Sequence, residues 1–238
     1  MRADPVVGGS LQTPAMASPV QGLRPTRRFA GWPEEAFDLL LRLEGDPSTS
    51  LRDSLRRDRE RLVRQPMIAL LQEVADADPV YDDFSVWGYG KTVWWWQHQS
   101  SAVRIERGVE LGVRLDVDGL AVTGNGWFVD PGKLQLYRGA AAADDTGDRL
   151  ERSLTDLQGR GWSLGGDLLQ RAPRGYAGDH PRAHLLRHRS LAVTQLLDAE
   201  PWLHGGEAVD RVLAGFAELR PLMEWLSDNV GSGADTVA

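Results

Sequence analysis

The sequence predicts an α+β fold in which a central antiparallel sheet is flanked by N-terminal and C-terminal helices. Three patterns support this prediction. Apolar residues have helical spacing from Pro33 to Val74, residues alternate around a hairpin turn from Val109 to Gly124, and helical spacing returns from His180 to Trp225. Strands grouped between helices are typical of α+β proteins, whereas α/β proteins alternate the two. A chain of 238 residues is also long enough to bury a large core.

Three helices are predicted in the first third, because apolar residues recur there at intervals of three and four. They run from Pro33 to Glu44, from Thr49 to about Arg64, and onward from Pro66. The second helix is rich in arginine, which suggests either a nucleic-acid contact or a solvated helix carrying ion pairs. The net charge of −7 favours the solvated helix, because nucleic-acid binding needs a basic surface.

The strands are predicted in the middle of the chain. Strict alternation from Val109 to Val117 indicates a half-buried strand, and Asp118-Gly119 is a strong signal for a hairpin turn. Further antiparallel strands are expected over Thr92 to Arg107 and Gly126 to Val129.

The last part of the chain is predicted to be mainly helical, with one short strand near Trp162 to Leu164. Proline in a first helical turn and repeated leucines mark the helices. The predicted helices run from Asp130-Pro131 through Tyr137, from Asp148 to Gln158, from His180-Pro181 to Leu197, and from Glu207 to Trp225 with a kink at Pro221.

The ends of the chain and its composition exclude several classes of protein. Residues 1–28 are expected to be a disordered tail, 29–230 a single domain and 231–238 a frayed end. Arg27-Arg28 is not followed by the apolar stretch of an export signal, so a cytoplasmic location is expected. Cysteine is absent, which excludes disulfides and thiolate chemistry. No run is apolar enough for a membrane, and we expect neither membrane nor nucleic acid as a partner.

An aromatic segment from Trp87 to Gln99 is the first candidate site. On a strand, Trp94 and Trp96 would share one face and Trp95 the other. One interpretation places these tryptophans in the core. The other has them line a ligand pocket, with Tyr89, Lys91 and His98 as its polar contacts.

A loop from Arg171 to Pro181 is the second candidate site. In a functional interpretation, Arg171 and Arg174 bind an anion, and Asp179 or His180 acts as an acid or base at a helix N-terminus. In a structural interpretation, Asp179 caps the helix, Arg174 is its ion-pair partner, and Tyr176 fills a gap in the core.

Metal and cofactor sites are not expected. His184 and His188 are four residues apart, so on a helix they would share a face with metal-ligand spacing, but no acidic residue follows at a matching position. The sequence contains no nucleotide-binding fingerprint and no Ser-His-Asp order.

Several stretches of the chain resemble one family. They are Arg171 to Tyr176, Asp179-His180-Pro181 with Leu185 to Ser190, Phe29 to Ala36, Glu200 to Leu203, Leu219 to Leu222 and Trp225-Leu226. Together they are similar to the bacterial and fungal family called domain of unknown function 2461, over most of residues 29 to 230. That name implies no assigned activity.

The chain departs from this family at the aromatic segment. The family carries a lysine-rich charged run before its sheet, and this run aligns with Trp87 to Trp96. The basic side chains are nearly all replaced here, and Lys91 does not match a lysine of the family. Aromatic residues of the family's second helix are replaced by Leu51 and Arg52. If the charged run binds an anion in the family, this chain is not expected to bind that anion in the same way.

Two functions are compatible with these observations. In the first, a pocket between Trp94–Trp96 and the loop from Arg174 to His180 binds a small, partly aromatic or apolar molecule, with acid–base catalysis as an extension. In the second, the protein is a non-catalytic interaction or scaffold protein whose tryptophans form a partner surface. The sequence names no substrate, and the oligomeric state stays open.

Overall fold

The computed structural model describes residues 29–90, 92–128 and 130–231. It has the predicted α+β architecture, with a central antiparallel sheet and helices before and after its strands. The tail expected at residues 1–28 lies outside the described residues, and so does the end expected at residues 231–238, apart from Gly231. Within the described ranges, no helix combines the length and apolar character that crossing a membrane requires.

The helices of the first half follow the predicted order. They are α1 (Glu34–Arg42), α2 (Thr49–Arg59) and α3 (Gln65–Ala77), and a π-helical turn over Glu60–Arg64 joins α2 to α3. Ser48 caps α2 by accepting a hydrogen bond from the backbone N–H of Leu51 at 3.2 Å. The π-helical turn over Glu60–Arg64 is a local widening within the helical run from 49 to 77.

The later helices begin after the central strands. They are α4 (Pro131–Ala142), α5 (Asp144–Gly159), α6 (Ala183–Leu186) and α7 (Glu207–Val230). Asp130 caps α4 as predicted, because its carboxylate accepts a hydrogen bond from the backbone N–H of Lys133 at 2.8 Å. Helix α7 continues through Pro221.

The described strands form a six-stranded sheet in the order β1-β2-β3-β4-β6-β5, and each neighbouring pair is antiparallel. The strands are β1 (Phe84–Val86), β2 (Gln99–Glu106), β3 (Val109–Asp116), β4 (Gly119–Trp127), β5 (Ser163–Gly165) and β6 (Ser190–Leu196). The hairpin predicted at Asp118-Gly119 is confirmed and joins β3 to β4.

The two faces of this sheet differ in character. One row across it, from Val103 through Leu111 and Gly124 to Val193, is buried against the helices. The next row contains Ala102, Gly112, Thr123 and Thr194, which are small or polar. We call this second side the polar face. An antiparallel sheet with one face in the core and one polar face shows this alternation.

Helix α7 packs on the buried face at a site where β4 has no side chains. A Cβ atom at Gly124 would lie 2.8 Å from Cε of Met223 and 3.1 Å from a methyl group of Leu219. Gly126 is similarly close to Leu226. The glycines therefore let α7 lie close to the sheet, and Val122 packs beside Gly215 of the helix.

Two sequence predictions are corrected by the strands. The chain from Thr92 is not a strand until Gln99, because Val93–Trp96 forms a 3-10 turn. The helix predicted from His180 to Leu197 is also wrong. Only Ala183–Leu186 is helical, and β6 follows. Its alternation of buried and partly exposed residues fits a strand, but its leucines also fit a helical spacing.

We expect Gly124→Val to lower the free energy of unfolding by about 2 kcal/mol, because a branched side chain would push α7 away from the sheet. Gly139→Ala is the matched control, since Gly139 is exposed in α4 with no neighbouring atom near its missing Cβ. That change should be neutral or stabilising. Urea unfolding measures both, and equal effects would contradict the packing argument.

Candidate functional site

The aromatic segment lies between β1 and β2, and its backbone is held by one buried arginine. Arg59, at the end of α2, is only 1% exposed. Its guanidinium donates to the backbone carbonyls of Trp96 and Trp95, each at 3.1 Å, and to that of His98 at 2.6 Å. It also donates to the side-chain oxygen of Gln99 at 3.1 Å. These carbonyls cannot join a sheet ladder, so the segment turns instead of extending β2.

Arg59 is charged at neutral pH although it is buried. Burial lowers its pKa to about 10, and the nearby Tyr89 and Glu60 oppose that shift. Its guanidinium carbon lies 4.3 Å from the centre of the Tyr89 ring, which is a favourable cation–π distance. The charge is therefore stabilised by backbone oxygens and an aromatic face rather than by a carboxylate contact.

The aromatic rings form an inner and an outer group. The inner group is Trp96, which is buried, and Tyr89, whose ring centre is 4.4 Å away. The outer group is Trp87, Trp94, Trp95 and His98, and we call it the outer cluster. The ring centre of Trp95 lies 5.5 Å from that of Trp87 and 4.9 Å from that of Trp94, and the ring centres of Trp94 and His98 are 4.0 Å apart.

The outer cluster lies at one end of the polar face. The backbone N–H of Trp87 donates to Ser100, which pairs with Arg114 in the next strand. The guanidinium of Arg114 lies 5.8 Å from the Trp94 ring. Trp87 and Trp94 are 40% and 50% exposed, so two large indole surfaces are accessible to solvent.

His98 is the one member of the outer cluster that is almost fully buried, at 2% exposure. Burial, then the charges of Arg114 and Arg59, lowers its pKa to about 4, so the imidazole is neutral at physiological pH. Its Nε2 atom is buried and has no hydrogen-bond partner among the described residues. The backbone of Trp94 partly opposes this lowering of the pKa. In a neutral imidazole whose proton is on Nδ1, Nε2 is a hydrogen-bond acceptor.

The second predicted segment lies elsewhere. Arg171, Arg174 and Asp179 are exposed, whereas Tyr176 is partly buried against the core, as the structural interpretation expected. Asp179 is not the helix cap that we predicted, because α6 begins only at Ala183 and has no side-chain cap. The acceptor at this turn is Nδ1 of His180, which takes the backbone N–H of Arg182 at 3.0 Å.

Arg182, next to this motif, has a structural role that the sequence analysis missed. It is 6% exposed and donates to the carbonyls of Ala141, Ala142 and Ala143 at 2.9–3.1 Å. Its remaining nitrogen donates to the Asp148 carboxylate at 2.6 Å. Arg182, which directly follows Asp179-His180-Pro181, thus connects the C-terminus of α4 to the first turns of α5.

The structure does not bring the two predicted segments together. The outer cluster precedes Gln99, which pairs with Leu115 at one end of the sheet, whereas the loop leads to Ser190, which pairs with Trp127 at the other end. No hydrogen bond, ion pair or ring contact links the two segments within the described ranges. Lys91, predicted as a polar contact of the pocket, lies outside the described residues.

The cavities of the described part of the chain do not involve these segments either. Three prominent cavities have volumes of about 410, 270 and 290 Å³, and neither predicted segment lines them. A pocket shared by the tryptophans and the loop is therefore not observed. The outer cluster is a surface with one buried acceptor, not a preformed cavity.

The histidine spacing has a structural explanation. The helix ends at Leu186, so His184 and His188 do not share a helical face. His184 lies 3.7 Å from the Glu151 carboxylate, and His188 is buried with Nδ1 3.0 Å from the carbonyl of Ser190. Across the described residues, no group of three potential metal ligands was found.

Sequence reasoning missed Arg59 as an organising residue of the site. Its position continues the apolar stripe of Leu55 and Val63, and both of these residues are buried. An arginine within an apolar stripe was the available signal. Other arginines of this helix pair with acidic neighbours, as the solvated-helix interpretation expected, for example Arg56 with Asp53 at 2.7 Å.

These features define the class of protein. It is an α+β protein with helices on one face of a six-stranded antiparallel sheet and an aromatic cluster at one end of the other face. The chain belongs to the family of conserved hypothetical proteins called DUF2461, which matches residues 89–225. The match includes the loop from Arg171 to Pro181 and the aromatic segment from residue 89 onward, while the resemblance at Phe29 to Ala36 lies outside it. Comparisons with curated proteins and with solved structures found no match.

We expect Arg59→Met to lower the free energy of unfolding by about 3 kcal/mol, because several buried carbonyls would lose their donor. The control is Arg57→Met, which changes an exposed arginine of the same helix and should cost less than about 0.5 kcal/mol. Urea unfolding measures both variants. Similar losses in the two would contradict a special role for Arg59.

Lowering the pH should also reduce the free energy of unfolding, because of His98. Its pKa is below the ordinary value only in the folded state, so below about pH 6.5 the unfolded chain binds a proton that the folded chain does not. Between about pH 7 and about pH 5, we expect the free energy of unfolding of the wild type to fall by about 2 kcal/mol more than that of His98→Asn. Burial also lowers the pKa of His188, but that residue titrates in both proteins. Parallel pH profiles would contradict the assignment.

Proposed function

We propose that the protein binds a small, flat, aromatic molecule at the outer cluster, and that the ligand donates an N–H or O–H hydrogen bond to Nε2 of His98. The observation that carries this proposal is the buried nitrogen without a partner, enclosed by the rings of Trp94 and Trp95. A buried polar atom without a hydrogen bond costs about 1–3 kcal/mol. A ligand donor would recover much of that free energy.

The neighbouring rings favour an aromatic ligand. Trp87 and Trp94 offer partly exposed indole faces, and aromatic pairs stabilise one another beyond the area that they bury. The Trp94 ring covers His98, so the ligand takes the position of this ring and stacks against Trp95. Because Trp94 is in a short 3-10 turn rather than in a strand, this movement breaks no sheet hydrogen bond.

The charges around the cluster favour a neutral ligand. Arg114, the cation nearest to the Trp94 ring, is paired with Asp116 at 2.6 Å. Arg59 is directed to backbone carbonyls. The segment from Trp87 to Gln99 contains one lysine and no arginine, which agrees with a ligand that is not an anion.

The proposal includes binding but not acid–base catalysis. His180 and Asp179 lie on the separate loop, and His180 already accepts a backbone hydrogen bond. Arg171 and Arg174 are exposed on the same loop and have no part in this site. Catalysis by that loop therefore stays a prediction from sequence.

Calorimetric titration with indole and with 1-methylindole tests the proposal, because the two probes differ in the N–H donor. We expect indole to bind about fivefold more tightly to the wild type. His98→Phe should remove this preference, and Trp95→Ala should weaken the binding of both probes, because the ligand stacks on the Trp95 ring. Trp127→Phe is the control, since Trp127 is 39% exposed at the other end of the polar face.

Equal affinities for the two probes in the wild type would contradict the role of His98. A failure of both probes to bind would overturn the proposal. If that failure were accompanied by a self-associated mass in solution that Trp94→Ala reduces, the tryptophans would instead be a partner surface, as in the interaction-protein alternative.

A further inference from the structure

A second site, separate from the outer cluster, lies in a cavity beside α7. Its volume is about 410 Å³, and it is bounded by α7, by β2 and β3, and by the turn from Asp78 to Tyr81. The residues of α7 that line it lie on one helical face, at the spacing of Phe216, Arg220 and Glu224. Neither predicted segment contributes to it.

The floor of this cavity is apolar. Leu111, Phe216, Met223 and Tyr81 line it and are at most 4% exposed. Ile105 completes the sheet side. Such a floor has the volume and the character of a small-molecule site, in which apolar surface supplies most of the contact area.

The rim of the cavity is acidic. Asp78, Glu224 and Asp228 line it together with one cation, Arg220. Arg220 pairs with Asp78 at 3.3 Å, and the neighbouring Tyr81 raises the pKa of its guanidinium. Within residues 29–90, 92–128 and 130–231, neither Glu224 nor Asp228 has a salt bridge. After the pairing of Asp78, two carboxylates therefore remain one helical turn apart at the mouth.

A polar atom between these carboxylates also lacks a partner. Ser227 lines the cavity, and its Oγ atom is buried without a hydrogen bond among the described residues. A serine within a helix ordinarily bonds to a preceding carbonyl or to solvent. Here the hydroxyl can accept a hydrogen bond from a ligand, between the two carboxylates that attract a positive charge.

We propose that this cavity binds a small organic cation, an ammonium group attached to an apolar or aromatic body. The body packs on Phe216, Met223 and Leu111. The ammonium group lies at the mouth between Glu224 and Asp228 and donates to Oγ of Ser227. This combination favours a ligand with both a positive charge and an apolar surface, since the acidic rim repels an anion and the mainly apolar floor suits an organic body better than a hydrated metal ion.

Calorimetric titration with benzylammonium, benzyl alcohol and benzoate tests the proposal on the full chain. We expect benzylammonium to bind about fivefold more tightly than benzyl alcohol, and benzoate to bind more weakly than both. The preference for the cation should fall as salt is added, because the carboxylates are exposed.

Variants connect that preference to the cavity. The double change Glu224→Gln and Asp228→Asn should bind benzylammonium and benzyl alcohol equally. The matched control removes two exposed charges elsewhere, through Glu44→Gln and Asp46→Asn, and should keep the preference. Val80→Trp should weaken both probes, because Val80 is 48% exposed at the mouth and a larger side chain fills it without changing the core.

Three results would overturn the proposal. They are equal binding of the three probes to the wild type, loss of the preference in the control, and unchanged binding in Val80→Trp. Trp95→Ala should leave benzylammonium binding unchanged, so failure of one proposed site is distinguishable from failure of the other.

Discussion

The buried guanidinium of Arg59 is the interaction on which the rest of the candidate site depends. A charge can be buried only when its hydrogen-bonding groups are satisfied, and here the partners are mostly the carbonyls of Trp95, Trp96 and His98. Because those carbonyls point to Arg59, the chain before Gln99 forms a turn instead of extending β2. The position of the outer cluster, and the burial of His98 within it, follow from this arrangement.

Arg182 provides a second example of the same device at the other end of the sheet. It donates to the carbonyls of Ala141 and Ala142 at the end of α4, and to that of Ala143, which also accepts a hydrogen bond from the N–H of Gly147. In both places an arginine fork binds several backbone oxygens where the chain turns. The difference lies in the surroundings. Arg182 also contacts the carboxylate of Asp148 and completes a helix junction, whereas Arg59 lies under aromatic rings and organises an exposed surface.

The fold could be predicted from the sequence wherever a local signal was strong, and the site could be predicted only in part. The Asp118-Gly119 hairpin and the Asp130 cap depend on neighbouring residues, so periodicity and turn chemistry identified them. Strand β6 was missed because its place between β4 and β5 depends on distant pairing that no local pattern contains. The tryptophans were identified by composition, but their strand assignment was wrong because Arg59, close to them only in space, holds their backbone.

The separation between scaffold and surface explains which parts of this chain can change without loss of the fold. The family match extends from residue 89 to 225 and includes the helix junction at Arg182. The aromatic segment, by contrast, connects β1 to β2 outside the ladder. Its side chains can therefore change without altering a strand register, provided that a donor still satisfies its carbonyls. Arg59 contacts mainly backbone oxygens in this segment, so its hydrogen bonds do not depend on which side chains the tryptophan positions carry. The surface chemistry of this segment is thus free to diverge while the sheet and α7 retain their packing.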